Sequence, residues 1–394
     1  MSRRMISTRF AAWTMAAIGV LLMSALPVSA QRRVIRPEGA PTDRPYSPGV
    51  LVGQTLYISG QLGLPGTGAT PAAMDAQARQ ALDGVGAVLK AAGLGYQHLV
   101  KCHVYLANMD DYAAMNTAYG SYFTDRVPAR TTVQAAALPG GAGIQVTCIA
   151  YADLARISVV RPPAGSLPAP LGPYSPAVWA GDTLYVSGMG GQDPATKTVG
   201  ESVEAQVAQT VANITTTLKA AGLGLSDVAW AQGYATRVAE APALEAALAK
   251  VVTSPRGMVA VPRLPGPIRA ELTFIATRTS ATDRRLGNAP GATTPVRGLR
   301  RGSTVYVDAM LGSGEGVEAQ ARQAFVRLGE VLKQGEMEFR DVAVVTVALT
   351  DIADLPTMNA IFKETFPTDP PARVTIQVQP QGTELIRIGL IAAR

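Results

Sequence analysis

Ala76-Gln-Ala-Arg-Gln-Ala-Leu82 returns as Ala205-Gln-Val-Ala-Gln-Thr-Val211 and again as Ala319-Gln-Ala-Arg-Gln-Ala-Phe325. The three stretches run on to Leu89-Lys-Ala-Ala-Gly93, Leu218-Lys-Ala-Ala-Gly222 and Leu332-Lys-Gln-Gly335. Apolar residues fall at Ala78, Leu82, Val85 and Leu89, at Val207, Val211, Ile214 and Leu218, and at Ala321, Phe325, Leu328 and Leu332. Steps of four, three and four put each set on one helix face. The trailing glycine suits a left-handed C-terminal cap. One helix is thus written three times, each copy with the same stripe to bury.

The surroundings of the helix repeat as well. Before it stand Thr55–Ser59, Thr183–Ser187 and Thr304–Asp308, which read as strands, with Gly53, Gly181 and Gly302 two residues ahead as hairpin turns require. After it come β-like Val100–Leu106, Val228–Ala235 and Val342–Leu349, then a second helical segment such as Asp111–Phe123. Each copy closes with two apolar strands, represented by Ile144–Ala150, Ala270–Ala276 and Ile386–Ala392. The order β-β-α-β-α-β-β gives an α+β unit with its helices on one sheet face. Arg161–Pro170 and Ser280–Thr293, rich in proline or glycine, read as linkers, which places the units at 41–155, 169–279 and 293–394. Units this complete do not need the neighbour-by-neighbour stacking of an open solenoid. The expectation is a closed assembly of three units within one chain.

Composition narrows function. Of 394 residues, 47% are apolar, which excludes a mainly disordered chain. Two histidines, His98 and His103, and two cysteines, Cys102 and Cys148, cannot build a conventional zinc or iron–sulfur centre, so no metal or cofactor is expected. Arg3, Arg4 and Arg9 precede an uncharged run from Phe10 to Leu26 and then Val28-Ser-Ala30. This is the pattern of a cleavable export signal over residues 1–30, too short in its apolar part to span a bilayer. Ser2-Arg3-Arg4 also resembles a twin-arginine signal. No cysteine follows that run to carry a lipid, so the mature protein is expected to be exported, periplasmic and without a membrane anchor. Its 32 basic residues face 29 acidic ones with no concentrated basic face, which speaks against nucleic acid as a partner. Cys102 and Cys148 both fall on expected strands, and two buried free thiols are favoured over a disulfide.

These landmarks resemble the RidA/YjgF family of imine and enamine deaminases. The resemblance is carried by Gly172-Pro-Tyr-Ser-Pro176, Tyr185-Val-Ser-Gly188, the Ala-Gln helix, Met115-Asn116, and Pro128-Ala-Arg-Thr131 followed by Ala137-Leu-Pro139. It implies a chorismate-mutase-like fold and, because family members look like homotrimers with pockets between subunits, an intramolecular pseudo-trimer with pockets between repeats. It also implies residue roles. The carboxylate-binding arginine matches Arg130, Arg256 and Arg373; a planar guanidinium grips a carboxylate through two parallel hydrogen bonds. The aromatic wall matches Tyr46 and Tyr174, with Pro295 in the third copy, and the serine matches Ser59 and Ser187, with Asp308 in the third. The water-activating glutamate matches Glu271, replaced by Gln145 in the first copy and Arg387 in the third. The helix asparagine matches Asn116 and Asn359; in the second copy, after a short deletion, the corresponding place is near Glu245.

A carboxylate can deprotonate water, an amide can only position it, and a guanidinium can do neither. The second copy keeps Tyr174, Ser187, Arg256 and Glu271 and is read as the catalytic one. The first keeps Tyr46, Ser59, Asn116, Arg130 and Gln145, a set that binds an acid without hydrolysing it well; the degenerate third is read as structural. The expected activity is metal-free hydrolysis of small 2-imino or 2-enamino acids to 2-oxo acids and ammonia. The alternatives are an exported, non-catalytic binder of small carboxylates and, with less support from charge, an RNA-cleaving or holdase-like protein. On the first two readings the partner is a small-molecule carboxylate.

Overall fold

The computed structural model describes residues 32–64, 73–287 and 298–394; the expected export segment and Pro295 lie outside them. In each repeat a tight turn joins the second and third strands of the sheet. Gly53, Gly181 and Gly302 hold φ of +56°, +59° and +58°, which a side chain would disfavour. The first repeat runs β1 (Arg32–Ile35), β2 (Gly49–Val52), β3 (Thr55–Ile58), β4 (Gln61–Gly63), α1 (Met74–Ala91), β5 (Leu99–Leu106), α2 (Tyr112–Gly120), β6 (Ala129–Gln134) and β7 (Ile144–Tyr151). The second runs β8 (Ile157–Val160), β9 (Ala177–Ala180), β10 (Thr183–Val186), β11 (Met189–Gly190), α3 (Val203–Ala220), β12 (Val228–Ala235), α4 (Ala241–Ala249), β13 (Arg256–Ala260) and β14 (Ala270–Thr277). The third runs β15 (Arg284–Leu286), β16 (Gly298–Arg301), β17 (Thr304–Leu311), α5 (Gly316–Gln334), β18 (Val342–Leu349), α6 (Leu355–Thr365), β19 (Ala372–Gln377) and β20 (Ile386–Ala393).

The sheets share one order: β1-β2-β3-β7-β5-β6, β8-β9-β10-β14-β12-β13 and β15-β16-β17-β20-β18-β19. Pairing is antiparallel except at β5–β6, β12–β13 and β18–β19, where a helical crossover makes the strands parallel. The two helices of each repeat cover one sheet face and bury the expected stripe; of its twelve residues only Val211 is less than fully buried. Each sheet begins one strand earlier than the sequence suggested. β8 and β15 lie in stretches read as inter-unit connection, yet each is the first strand of the sheet that follows. Four-residue Arg32–Ile35 and three-residue Arg284–Leu286 are too short and too charged to show a strand period.

Two further expectations are corrected. Gly93 and Gly222 adopt the left-handed cap, at φ +76° and +71°, but in the third repeat Glu336 does so at +58°. That copy keeps the backbone length while its glycine sits one residue early. Cys102 and Cys148 are not free thiols. They face each other across β5 and β7 with Cα atoms 4.1 Å apart and form a disulfide.

The helix-free sheet faces meet one another. Tyr105 and Val133 of the first repeat, Tyr234 and Val259 of the second, and Ala348 and Val374 of the third share one apolar cluster. Polar contacts cross all three junctions. Gly188 N–H donates to Arg130 O at 2.9 Å, Gly60 N–H to Arg373 O at 3.0 Å, and Arg387 Nη1 to Met258 O. These junctions are the first seam (repeats 1 and 2), the third (repeats 3 and 1) and the second (repeats 2 and 3). Among the described residues no helix is long and apolar enough to cross a membrane.

Candidate active site

The first seam is built around Arg130. It opens β6 just after α2, and its guanidinium is buried among rings from both repeats: Tyr119 at 4.8 Å, Tyr174 at 5.5 Å and Tyr112 at 5.7 Å to the centroids. Such rings stabilise a partly desolvated cation through their faces. One Nη donates to Tyr112 Oη at 3.2 Å, which fixes the plane of the fork. Across the seam, Ser187 orients the strand itself: its Oγ accepts Arg130 N–H at 2.8 Å and donates to Ser175 O at 2.6 Å. Gly172 packs directly on this group: a Cβ there would lie 2.6 Å from Asn116 Oδ1 and 2.7 Å from Arg130 Nη2 and would push those side-chain ends aside.

Glu271 reaches the same space from β14. Arg130, Tyr174, Tyr112 and Glu271 line one cavity of about 270 Å³ between repeats 1 and 2. Gly188 leaves the room for it, since a Cβ there would sit 2.0 Å from Glu271 Oε1. Burial disfavours the ionised carboxyl and raises its pKa to about 8, against the opposite pull of Lys101 and Arg130. Tyr174 is pushed up to about 12, chiefly by burial, and stays a neutral phenol. The cavity therefore joins a fixed cation, a ring wall and a carboxyl that changes protonation near neutral pH. Such an arrangement can hold a small acid by its carboxylate and move a proton beside it.

Arg256 does not line this cavity. Its Nε lies 2.8 Å from Glu245 Oε1, an ion pair lying off the N–H direction, and one Nη donates to Val252 O at 3.1 Å. The pairing of Arg256 with Glu271 drawn from the sequence is thus corrected. Each arginine strand lies at the sheet edge that meets the next repeat, so the arginine of one repeat faces the serine and glutamate of its neighbour. Arg130 of the first repeat takes the place expected of Arg256. Glu245, where the other copies have asparagine, leaves Arg256 already paired with an anion.

The same rule re-sorts the first-repeat residues. Tyr46, Ser59 and Gln145 sit at the third seam with Arg373, whereas Asn116 stays beside Arg130. Arg373 lies 4.8 Å from the Tyr46 ring and 4.9 Å from Phe362, donates from Nη2 to Asn359 Oδ1 at 2.6 Å, and gives its N–H to Ser59 Oγ at 2.8 Å. Desolvation lowers its pKa to about 10. Gln145 Nε2 donates to Thr375 O at 2.9 Å. At the second seam Asp308 stands near Gly257 and Arg387 is held by Gln381 and Glu384, so among the described residues neither of these two is a free base or a free cation.

The sequence reading missed two contributions. Tyr112 and Tyr119 cage Arg130, and their positions on α2 face the helix-side core rather than an evident motif. The segment read as a plain linker walls the cavity through Pro162, Leu167, Pro168 and Pro170. Its proline content was the one available signal, because a chain stiffened in this way holds a surface better than a flexible tether.

Fold and seam together define a class: an α+β repeat protein that forms a small-molecule pocket where neighbouring repeats meet. The chain belongs to the Endoribonuclease L-PSP family, whose pattern matches residues 38–152, 165–278 and 289–392. Its relatives bear out the RidA/YjgF resemblance. A goat (Capra hircus) protein named 2-iminobutanoate/2-iminopropanoate deaminase is 44% identical over 122 residues, 30% of this chain and 89% of that one. The protein of that name from Escherichia coli K12 is 40% identical over 123 residues, 30% of this chain and 96% of its own. The solved YjgF gene product of E. coli is 39% identical, covers 31% of this chain and 99% of its own, and has a TM-score of 0.29.

Proposed function

We propose that the first seam hydrolyses small 2-imino acids to 2-oxo acids and ammonia. The observation that carries this reading is that Arg130 and Glu271, from different repeats, line one cavity. The names of the relatives support the same chemistry. Arg130 grips the substrate carboxylate, and Tyr174 covers one face of the C=N group. Ionised Glu271 takes a proton from water as its oxygen bonds to the iminium carbon. Glu271 then returns that proton to nitrogen; as the C–N bond breaks and ammonia leaves, the new hydroxyl becomes the C=O and passes its proton to Glu271, which releases it to solvent. The reaction is redox-neutral, and the carbon needs little activation beyond protonation of the imine.

A coupled assay with freshly generated 2-iminopropanoate tests the reading. Wild type and Arg256→Ala should release 2-oxo acid well above buffer, whereas Arg130→Ala and Glu271→Gln should not. Equal rates for wild type and buffer remove it. A second role, acid binding without turnover, is favoured at the third seam. There Gln145 replaces the glutamate, and buried Arg373 keeps an Nη1 without a hydrogen-bond partner. Titration of Arg130→Ala with 2-oxobutanoate should show one remaining site that Arg373→Ala removes; no remaining binding refutes it.

The proposal includes export and a closed ring of three repeats. The signal-like N-terminus and the Cys102–Cys148 disulfide support an oxidising compartment, and contacts at all three seams support closure. Fractionation with N-terminal sequencing tests the first. Cross-linking of cysteines introduced across the third seam tests the second, since an open chain would not cross-link there.

A further inference from the structure

Lys101, on β5, is buried with 2% of its surface exposed, although no step described above uses it. Its Nζ donates to Thr131 Oγ1 at 2.7 Å, Val186 O at 2.8 Å and Thr273 Oγ1 at 2.8 Å. An ammonium has three protons, so these bonds use them all and none is left for Glu271. The acceptors lie on three strands of the site. Thr131 follows Arg130 on β6, Val186 precedes Ser187 at the end of β10, and Thr273 shares the face of Glu271 on β14. One first-repeat side chain therefore fastens two second-repeat strands to the strand of Arg130.

The device exists at one seam. A bulge precedes Lys101 in β5, and the residues after the matching bulges in β12 and β18 are Trp230 and Val344, which carry no charge. We propose that Lys101 is a positioning residue for the first seam: it locks the strands of Arg130, Ser187 and Glu271 in register and places its ammonium beside the Glu271 carboxyl. Its effect on turnover rests on the hydrolytic reading; its effect on Glu271 does not.

The groups that Glu271 faces are Lys101 from β5, Arg130 from β6, Tyr234 from β12 and Tyr174 ahead of β9. Burial keeps both tyrosines neutral well above pH 9. Lys101 also faces His103, whose burial beside it holds the imidazole neutral. Burial lowers the Lys101 ammonium to about 7, with Glu271 opposing the shift. Lys101 and Glu271 therefore titrate as a pair across the neutral range.

Infrared difference spectra against Glu271→Gln isolate the protonated-carboxyl band of Glu271 and follow it with pH. In Lys101→Met that band should persist about one pH unit or more higher than in wild type. The pH at which hydrolysis rises should move with it, leaving about a tenfold lower kcat at pH 7. A band that titrates as in wild type, with turnover reduced equally at every pH, overturns the proposal. Should Lys101→Met not fold, Thr273→Val, which removes one Nζ acceptor, should raise the band's midpoint by a smaller amount; no shift overturns it. A shifted band in a protein without imine hydrolysis supports the role of Lys101 and defeats the hydrolytic reading alone.

Discussion

Replacing Glu271 with glutamine should make the protein more stable than wild type at neutral pH, by an amount set by the burial of this carboxyl. The folded protein holds it at about 8, against an ordinary value of 4.5. A folded-state pKa above the unfolded one gives stability that is complete below the unfolded value and drains away as pH rises toward the folded value. Between those limits the folded state carries one more proton than the unfolded chain, and stability falls by about 1.4 kcal/mol per pH unit. From pH 5.5 to 7.0 wild type should lose about 2 kcal/mol relative to Glu271→Gln. Lys101 contributes with the opposite sign, because its pKa is lowered to about 7, but that gain appears above pH 7. Urea unfolding of both proteins at pH 5.5, 6.25 and 7.0 measures the difference directly. Parallel stability curves would show that the Glu271 carboxyl is not held protonated in a desolvated site, and its placement in the cavity would be wrong.

The hydrolysis rate should climb from pH 6 to about 8 as Glu271 ionises, after the spontaneous rate is subtracted, and a pH-rate profile of kcat/KM shows whether it does. Gly188→Ala puts a methyl group 2.0 Å from Glu271 Oε1 and should cut turnover about a hundredfold by displacing the carboxyl, as steady-state kinetics would show. Joint replacement of Cys102 and Cys148 by alanine opens a link between residues 46 apart and should cost about 2–4 kcal/mol, measured by urea unfolding under non-reducing conditions.

Much of the fold was legible because its signals are periodic. The Ala-Gln helices announce their buried face every three to four residues, and Gly53, Gly181 and Gly302 mark hairpins that only a left-handed residue allows. The leading strands were not, since β1 and β15 carry two arginines each and take their form from pairing with the next hairpin. Arg130, Tyr174, Ser187 and Glu271 were all identifiable singly. Their grouping was not, because the edge on which β6 and β13 fall is a property of sheet topology rather than of spacing along the chain. Lys101 gave no signal at all: one lysine in an apolar strand reads as a solvent-facing residue until three acceptors from two repeats are seen around it.

The composite pocket is tested most directly by a crystal structure of Glu271→Gln grown with 2-oxobutanoate. The ligand carboxylate is expected in a forked contact with Arg130 of the first repeat, its keto carbon turned toward position 271 of the second. Ligand density on Arg256 instead, or a first seam filled by side chains with no room for a four-carbon acid, would contradict it.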